Sequence, residues 1–267
     1  MEPVSAGLER LDAAAIVAAL GARAGEIQVE VVSSCGSTNT QLLEGEDRDF
    51  PCLLAADYQS AGRGRHGRRW HAVPGAAICF SLRRRMRCAP RGLGGASLAA
   101  GVAVARALRA AGAPGIALKW PNDLLSPAGA KLGGILIETR VQRGVVVAVI
   151  GIGINYRAAT DPRVRRRTAS LEELVLPLPP RNVLIGRMTC ELLEVLESFD
   201  ASGLALLRGE WESLHAHAGH RIRLRLADGS VVSGIHTGVA DDGALRVRTR
   251  EGVRALHSAR VLSARPA

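Results

Sequence analysis

Nine consecutive residues, Gly62-Arg63-Gly64-Arg65-His66-Gly67-Arg68-Arg69-Trp70, carry the most distinctive chemistry of the chain. Their three glycines let a backbone approach a ligand closely and adopt positive φ. The four arginines offer paired donors to phosphate or carboxylate oxygens. No Gly-Lys-Ser/Thr follows, so this is not a P-loop of the Walker type. A solvated basic loop has the same composition, and the segment alone does not separate the two readings. Of the 35 basic residues only two, Lys119 and Lys131, are lysines. Such scarcity invites a chemical reading of both. They open Lys119-Trp120-Pro121-Asn122-Asp123 and Lys131-Leu132-Gly133-Gly134-Ile135-Leu136-Ile137-Glu138, and Gly151-Ile152-Gly153-Ile154-Asn155 follows. Upstream, Ser37-Thr38-Asn39 either caps a helix over 39–44 or meets a polar ligand head. Taken singly, each block also reads as a cap, a turn or a closely packed strand. His215-x-His217-x-x-His220 has a spacing that gathers metals, but it lacks a nearby Cys or Glu partner, so no metal site is assigned.

Taken together and in this order, these blocks make the chain similar to the biotin protein ligases across roughly residues 30–265. The resemblance implies an enzyme that activates biotin with ATP to biotinyl-5'-AMP and then attaches biotin to a lysine of a carrier protein. It implies an α+β fold: a mixed-sheet catalytic domain of the class II synthetase-like biotin/lipoate ligase superfamily, followed by a small SH3-like β-barrel. The corresponding division is a short helical segment over 1–28, a catalytic domain over 29–216 and the barrel over 217–267. Carried over by position, Ser37, Thr38, Asn39 and Gln59 line the biotin pocket. Arg63, Gly64 and Arg65 close over biotin and the adenylate phosphate, joined by Gly62 and Arg68 on the nucleotide side. Lys131 stands at the biotin carboxylate and the phosphoryl centre. Trp70 packs against the adenine and Asn155 contacts the same base. Asp123 is the acid at the reaction centre, and Lys131, Arg65 and Asp123 form the catalytic set. The implied ligands are biotin, ATP and Mg2+, the ion held mainly by phosphates. The implied partner is the biotin carboxyl carrier protein of acetyl-CoA carboxylase, with a homodimer formed sheet to sheet left open.

Two rival readings make different demands on the sequence. A lipoate or octanoate ligase typically shows an Arg-Arg-x-x-Gly-Gly-Gly block with a conspicuous histidine, and no such block occurs here. A biotin-responsive DNA-binding regulator is suggested by the net charge of +10. Such a protein needs a three-helix reading head, and the 36 residues before Ser37 are too few to hold one. No specific DNA partner is therefore expected.

These residues must be positioned by a globular body, for which 47% hydrophobic and 22% charged residues are ordinary values. The 3% of aromatic residues rules out plentiful stacking platforms for single-stranded nucleic acid. The longest strongly apolar run, Val145 to Ile154, is about half a membrane span and reads as a buried strand. No secretory signal is visible at Met1-Glu2-Pro3. Five cysteines without a Cys-x-x-Cys pair fit a reducing compartment, so a cytoplasmic location is expected.

Periodicity predicts helices over 11–22, 98–111, 181–199 and 203–214, with Asn182 as N-cap of the third. It predicts strands over 27–32, 53–56, 76–82, 131–138 and 145–154, the last two joined by a turn at Arg143-Gly144. Strict alternation in 221–226 and 245–250, with turns at Asp228-Gly229 and Asp241-Asp242-Gly243, marks a separate β-rich unit beginning near 215–219. That unit holds nine arginines against four acids. Its arginine ladders read most simply as solvated strand faces, and otherwise as a surface for the acidic carrier or for ATP.

Overall fold

In the computed structural model, residues 9–46, 48–88, 90–142, 144–159, 163–164 and 168–267 are described; the expected turn residue Arg143 and the segment 1–8 lie outside them. The body is built on a seven-stranded mixed sheet. Its strands are β1 (Gln28–Cys35), β2 (Cys52–Gln59), β3 (Ala77–Met86), β4 (Ala117–Lys119), β5 (Asp123–Leu125), β6 (Lys131–Gln142) and β7 (Val145–Asn155). They run in the order β1-β2-β3-β7-β6-β5-β4, and only the β1–β2 pair is parallel. One face is covered by α1 (Ala13–Leu20), α3 (Ala96–Ala110) and α4 (Arg181–Ser202). The short α2 (Thr38–Glu44) lies across β2, β3, β6 and β7.

The two faces follow from alternation along β7. Ile150, Ile152 and Ile154 are buried in the main core with Phe80, Leu82 and Ile135. Each such side chain contributes about 1.5–3 kcal/mol of burial. The alternate positions, Gly151 and Gly153, fall on the opposite face. There Gly153 pairs with Cys79 and Gly134, while Gly151 pairs with Ser81 and Leu136. The sheet is thus densely filled on its helix side and carved out by small residues on the other.

Helix boundaries shift where capping overrides periodicity. Asp12 caps α1, its carboxylate accepting from Ala15 N at 2.7 Å. The helix stops at Leu20 because Gly21 takes φ +57°. Asn182 is not the cap of α4; Pro180 is. The Asn182 side chain instead accepts from Asp12 N at 3.0 Å and donates to Glu9 Oε1 at 2.7 Å, tying the chain before α1 to α4. Gly186 lets α1 lie close, since a Cβ there would fall 2.5 Å from Ala19 Cβ. The predicted helix over 203–214 forms only at α5 (Arg208–Leu214).

The C-terminal unit contains β8 (Arg221–Arg225), β9 (Val231–Val239), β10 (Leu245–Thr249), β11 (Gly252–Leu256) and β12 (Arg260–Arg265). They form an antiparallel SH3-like sheet in the order β11-β10-β9-β8-β12. This is the SH3-like unit the resemblance implied: β11 and β12 end the ladder, and no pairing between them closes it among the described residues. In β8, Ile222 and Leu224 face the core while Arg221, Arg223 and Arg225 are exposed, as the alternation requires. Trp120 Nε1 donates to Gly243 O at 3.0 Å, and Glu212 Oε1 accepts from Val239 N at 3.0 Å, joining this sheet to the body.

The histidines of the 215–220 segment serve packing at this junction. His215 stacks on Trp211 with ring centroids 4.5 Å apart and meets His236 of β9 edge-on at 4.5 Å. His215 Nδ1 donates to Leu118 O at 2.9 Å, which fixes its neutral tautomer because a carbonyl can only accept. Burial depresses the basicity of all three nearby rings: His215 to about 3, His217 and His236 to about 4, with Lys119 also opposing protonation of His217. The unfolded chain, with ordinary imidazoles near pKa 6.5, therefore binds more protons below that pH than the native state. Stability should be full above about pH 6.5 and fall progressively toward pH 4. Urea unfolding at a series of pH values checks this, and His236→Gln should flatten the slope by removing one of the titrating rings.

Candidate active site

A cleft of about 890 Å³ opens over the small-residue face of the sheet. It gathers Ser37, Thr38, Asn39, Gln59, Arg63, Gly64, Arg65, Arg68, Trp70, Asp123, Lys131 and Asn155, twelve of the thirteen residues singled out above. The thirteenth, Gly62, lies beside it and works structurally. Trp70 N donates to Gly62 O at 2.9 Å, and a Cβ at Gly62 would come 2.7 Å from Trp70 O.

One end of the cleft is neutral and hydrogen-bonding. Ser37 caps α2 with its side chain, so Thr38 and Asn39 start the helix pressed against the sheet, both buried. Thr38 N donates to Gln59 Oε1 at 2.8 Å. Thr38 Oγ1 lies 2.7 Å from Ser81 Oγ, and Ser81 Oγ donates to Asn39 Oδ1 at 2.6 Å. Gly151 makes room for this group, since a Cβ there would overlap the Asn39 amide. Nearby, burial pushes the Cys79 thiol up to about 11. Cys79 is therefore an inert part of the floor.

The other end is cationic. The loop between Gly62 and Trp70 folds back on itself through Gly64 N to Arg68 O at 2.7 Å and an Arg63–Arg69 bridge. His66 and Gly67 take φ +57° and +68° at its tip. Arg63 Nη2 meets Glu138 Oε1 at 2.9 Å. Burial pulls the Arg65 guanidinium below its ordinary value, opposed by Asp123, and it remains charged. Lys131 opens β6 and forms an ion pair with Asp123 of β5. Gly134 leaves space for both, with Lys131 Nζ only 3.2 Å from where its Cβ would stand. The same ammonium lies 5.9 Å from the Trp70 ring centroid. Asn155 lines the cleft, but its amide nitrogen donates to Ala169 O at 3.0 Å and Lys131 O at 3.3 Å. It thereby fastens the Lys131 backbone.

Ser81 and Glu138 escaped the sequence reading as site residues. Ser81 is a lone polar residue in the apolar run Ala76 to Leu82, which was a legible signal. Glu138 closed a motif without any sign of what it would touch.

Residues 32–155 match the Biotin/lipoate A/B protein ligase family, and residues 217–262 match the Biotin protein ligase C terminal domain. The cleft's neutral end and cationic end both lie largely within the part of the chain that matches that family. The Bifunctional ligase/repressor BirA of Escherichia coli (strain K12) is 36% identical over 222 residues, covering 81% of this chain and 68% of that protein. The Biotin--[acetyl-CoA-carboxylase] ligase of Mycobacterium tuberculosis is 36% identical over 239 residues, covering 85% of each. The fold matches the biotin protein ligase of Aquifex aeolicus, solved with biotin and ATP, at a TM-score of 0.74, 24% identity and coverage of 90% of this chain and 99% of that one. The chain belongs to the biotin protein ligase family and is a ligase. No helix among the described residues is long and apolar enough to cross a membrane.

Gly153 supplies a test of the floor. A Cβ at this position would stand 2.7 Å from the Trp70 ring. Gly153→Ala should therefore cost about 1–3 kcal/mol by overpacking. The same substitution in a Trp70→Ala background should cost almost nothing, which thermal or urea unfolding of the four proteins measures.

Proposed function

We propose that this chain condenses biotin with ATP to biotinyl-5'-AMP and transfers the biotinyl group to a lysine of the biotin carboxyl carrier protein of acetyl-CoA carboxylase. The observation that carries this reading is the division of one cleft into a neutral hydrogen-bonding end at Ser37, Thr38, Asn39 and Gln59 and a cationic end at Arg63, Arg65, Arg68 and Lys131. A substrate with a polar, uncharged head and a carboxylate tail matches that division.

The first half-reaction brings two anions together. The biotin carboxylate oxygen attacks the α-phosphorus of ATP, an acyl–phosphate bond forms, and pyrophosphate leaves. Unit charges about 4 Å apart at an effective dielectric near 20 repel by about 4 kcal/mol. Lys131 and the loop arginines offset that repulsion and stabilise charge building on the phosphate. Mg2+ bound with the nucleotide would supply further neutralisation, and Asp123, a carboxylate at this end of the cleft, would help hold it. Among the described residues no three His, Cys, Asp or Glu side chains are grouped to hold a metal ion.

In the second half-reaction the neutral amine of the carrier lysine attacks the biotinyl carbonyl, AMP leaves, and an amide forms with loss of one proton. Asp123, held by Lys131, is placed to orient the incoming amine. Arg260, at the start of β12, also lines the cleft, so the C-terminal sheet contributes to its wall. The cleft's composition favours biotin over lipoate, because the buried Thr38–Ser81–Asn39 row is polar where a dithiolane would need apolar contact. A cytoplasmic location follows from this activity and from five cysteines that are all free.

Biotin-dependent exchange of pyrophosphate into ATP tests the reading directly, and its absence would overturn it. Lys131→Ala should keep the fold and lower the exchange rate about 100-fold, in line with loss of one preorganised charge partner. Lys131→Arg should restore it only in part, because a planar guanidinium cannot take the ammonium's position.

Ligands should also protect the arginine loop. In the empty protein trypsin should cut after Arg65, Arg68 and Arg69, and the rate should fall once biotin and ATP are added. Mass spectrometry of the fragments reads this, and equal rates would remove the loop from the mechanism.

A further inference from the structure

A continuous row of hydrogen bonds runs beneath the cleft, and its direction is fixed by chemistry. Asn39 Nδ2 lies 3.0 Å from Glu138 Oε2 and 3.2 Å from Leu136 O. A carboxylate and a carbonyl can only accept, so the Asn39 amide must turn its NH2 toward β6 and its oxygen toward Ser81. That oxygen takes the single proton of Ser81 at 2.6 Å. Thr38 Oγ1, 2.7 Å from Ser81 Oγ and 3.2 Å from Gln59 Oε1, can then only donate: Ser81 has spent its proton and the Gln59 oxygen accepts. The Thr38 oxygen is left with lone pairs, able to accept from a ligand N–H. Glu138 ends the row, and its carboxylate, with the Leu136 carbonyl, gives the row its direction.

The same carboxylate has a second task. Its other oxygen, Oε1, meets Arg63 Nη2 at 2.9 Å, while Arg63 Nη1 donates to Thr40 Oγ1 at 3.2 Å. Glu138 is mostly buried, with 18% of its side chain exposed against 48% for Arg63. One side chain of β6 thus holds both the pocket floor and the loop above it. Residues 39, 63 and 138 come from α2, the arginine loop and β6, and no local spacing links them.

We propose that Glu138 is a positioning residue which sets the donor–acceptor polarity of the head-group pocket and latches the arginine loop through Arg63. This rests on the reading of the cleft as a biotin site and adds to it a residue that need not touch the ligand. A glutamine at this position cannot do both tasks. With its oxygen toward Arg63, its NH2 confronts the Asn39 NH2, so either that contact is lost or the Asn39 amide flips against Leu136 O and reverses the row. With its oxygen toward Asn39, its NH2 confronts the guanidinium and the latch opens.

The test is a double-substitution cycle read by biotin calorimetry and pyrophosphate exchange. Glu138→Gln should weaken biotin binding at least ten-fold and raise KM for biotin more than it lowers kcat. In an Arg63→Ala background the glutamine oxygen is free to serve Asn39, so Glu138→Gln should then change biotin affinity less than two-fold. An equal effect in both backgrounds, or none in either, overturns the proposal. Asn39→Asp probes the same contact from the other side by facing two carboxylates, and it should raise KM comparably if Glu138→Gln fails to fold. A wild-type KM in that variant also overturns it. Wild-type chain that binds biotin while Glu138→Gln matches it sinks the positioning role alone. Wild-type chain that binds no biotin sinks the site reading, and this inference with it.

Discussion

The cleft exists because three neighbouring strands carry almost no side-chain volume on one face. Cys79, Gly153 and Gly134 stand in one row across β3, β7 and β6, and Asp123 of β5 continues it. Next to it, Ser81, Gly151 and Leu136 form a second row. A sheet normally buries or solvates both faces with side chains that alternate along each strand. Here the isoleucines of β7 fill the helix side, and the glycines between them leave a hollow into which Asn39, Trp70 and Lys131 project. The stability of the sheet and the space for a ligand come from the same alternation.

The hollow explains why charge can be concentrated there without disrupting the fold. Arg65 loses basicity through burial, yet Asp123 opposes the loss, and Asp123 is itself held by Lys131. Arg63 reaches Glu138 on the far side of the same space. The cations are therefore balanced by two acids at fixed points while the loop that bears most of them stays at the rim. That balance is partial, and the surplus positive charge is what a carboxylate and a triphosphate would meet. The C-terminal sheet closes one wall of this arrangement, anchored by Trp120 of the Lys119–Asp123 block donating to Gly243.

The junction between body and C-terminal sheet shows how one motif acquires a bland role through packing. His215, His217 and His220 have a spacing that gathers metals, yet His215 stacks on Trp211, meets His236 and His217 edge-on and is tied to a backbone carbonyl. Spacing along a sequence gives only which groups are near in the chain. Whether they converge on a point or stack in a column depends on the surfaces brought against them.

Much of the chemistry was legible in the sequence because it is local. The Gly/Arg loop, the two scarce lysines and the Gly-Ile-Gly-Ile-Asn alternation are short-range patterns, and short-range sterics and burial decide what they form. The α+β class, the strand positions and the Ser37 cap follow for the same reason. The Asn182 cap did not, since Pro180 took the cap position. Asn155 had a legible place, but the hold of its amide nitrogen on the carbonyls of Lys131 and Ala169 was not legible. Glu138 was invisible as a site residue: its contact with Asn39 spans 99 positions. Residue types determined which reactions this protein could attempt. Only the tertiary structure decided which side chains orient one another, because donors and acceptors acquire a direction only when distant strands bring them within reach.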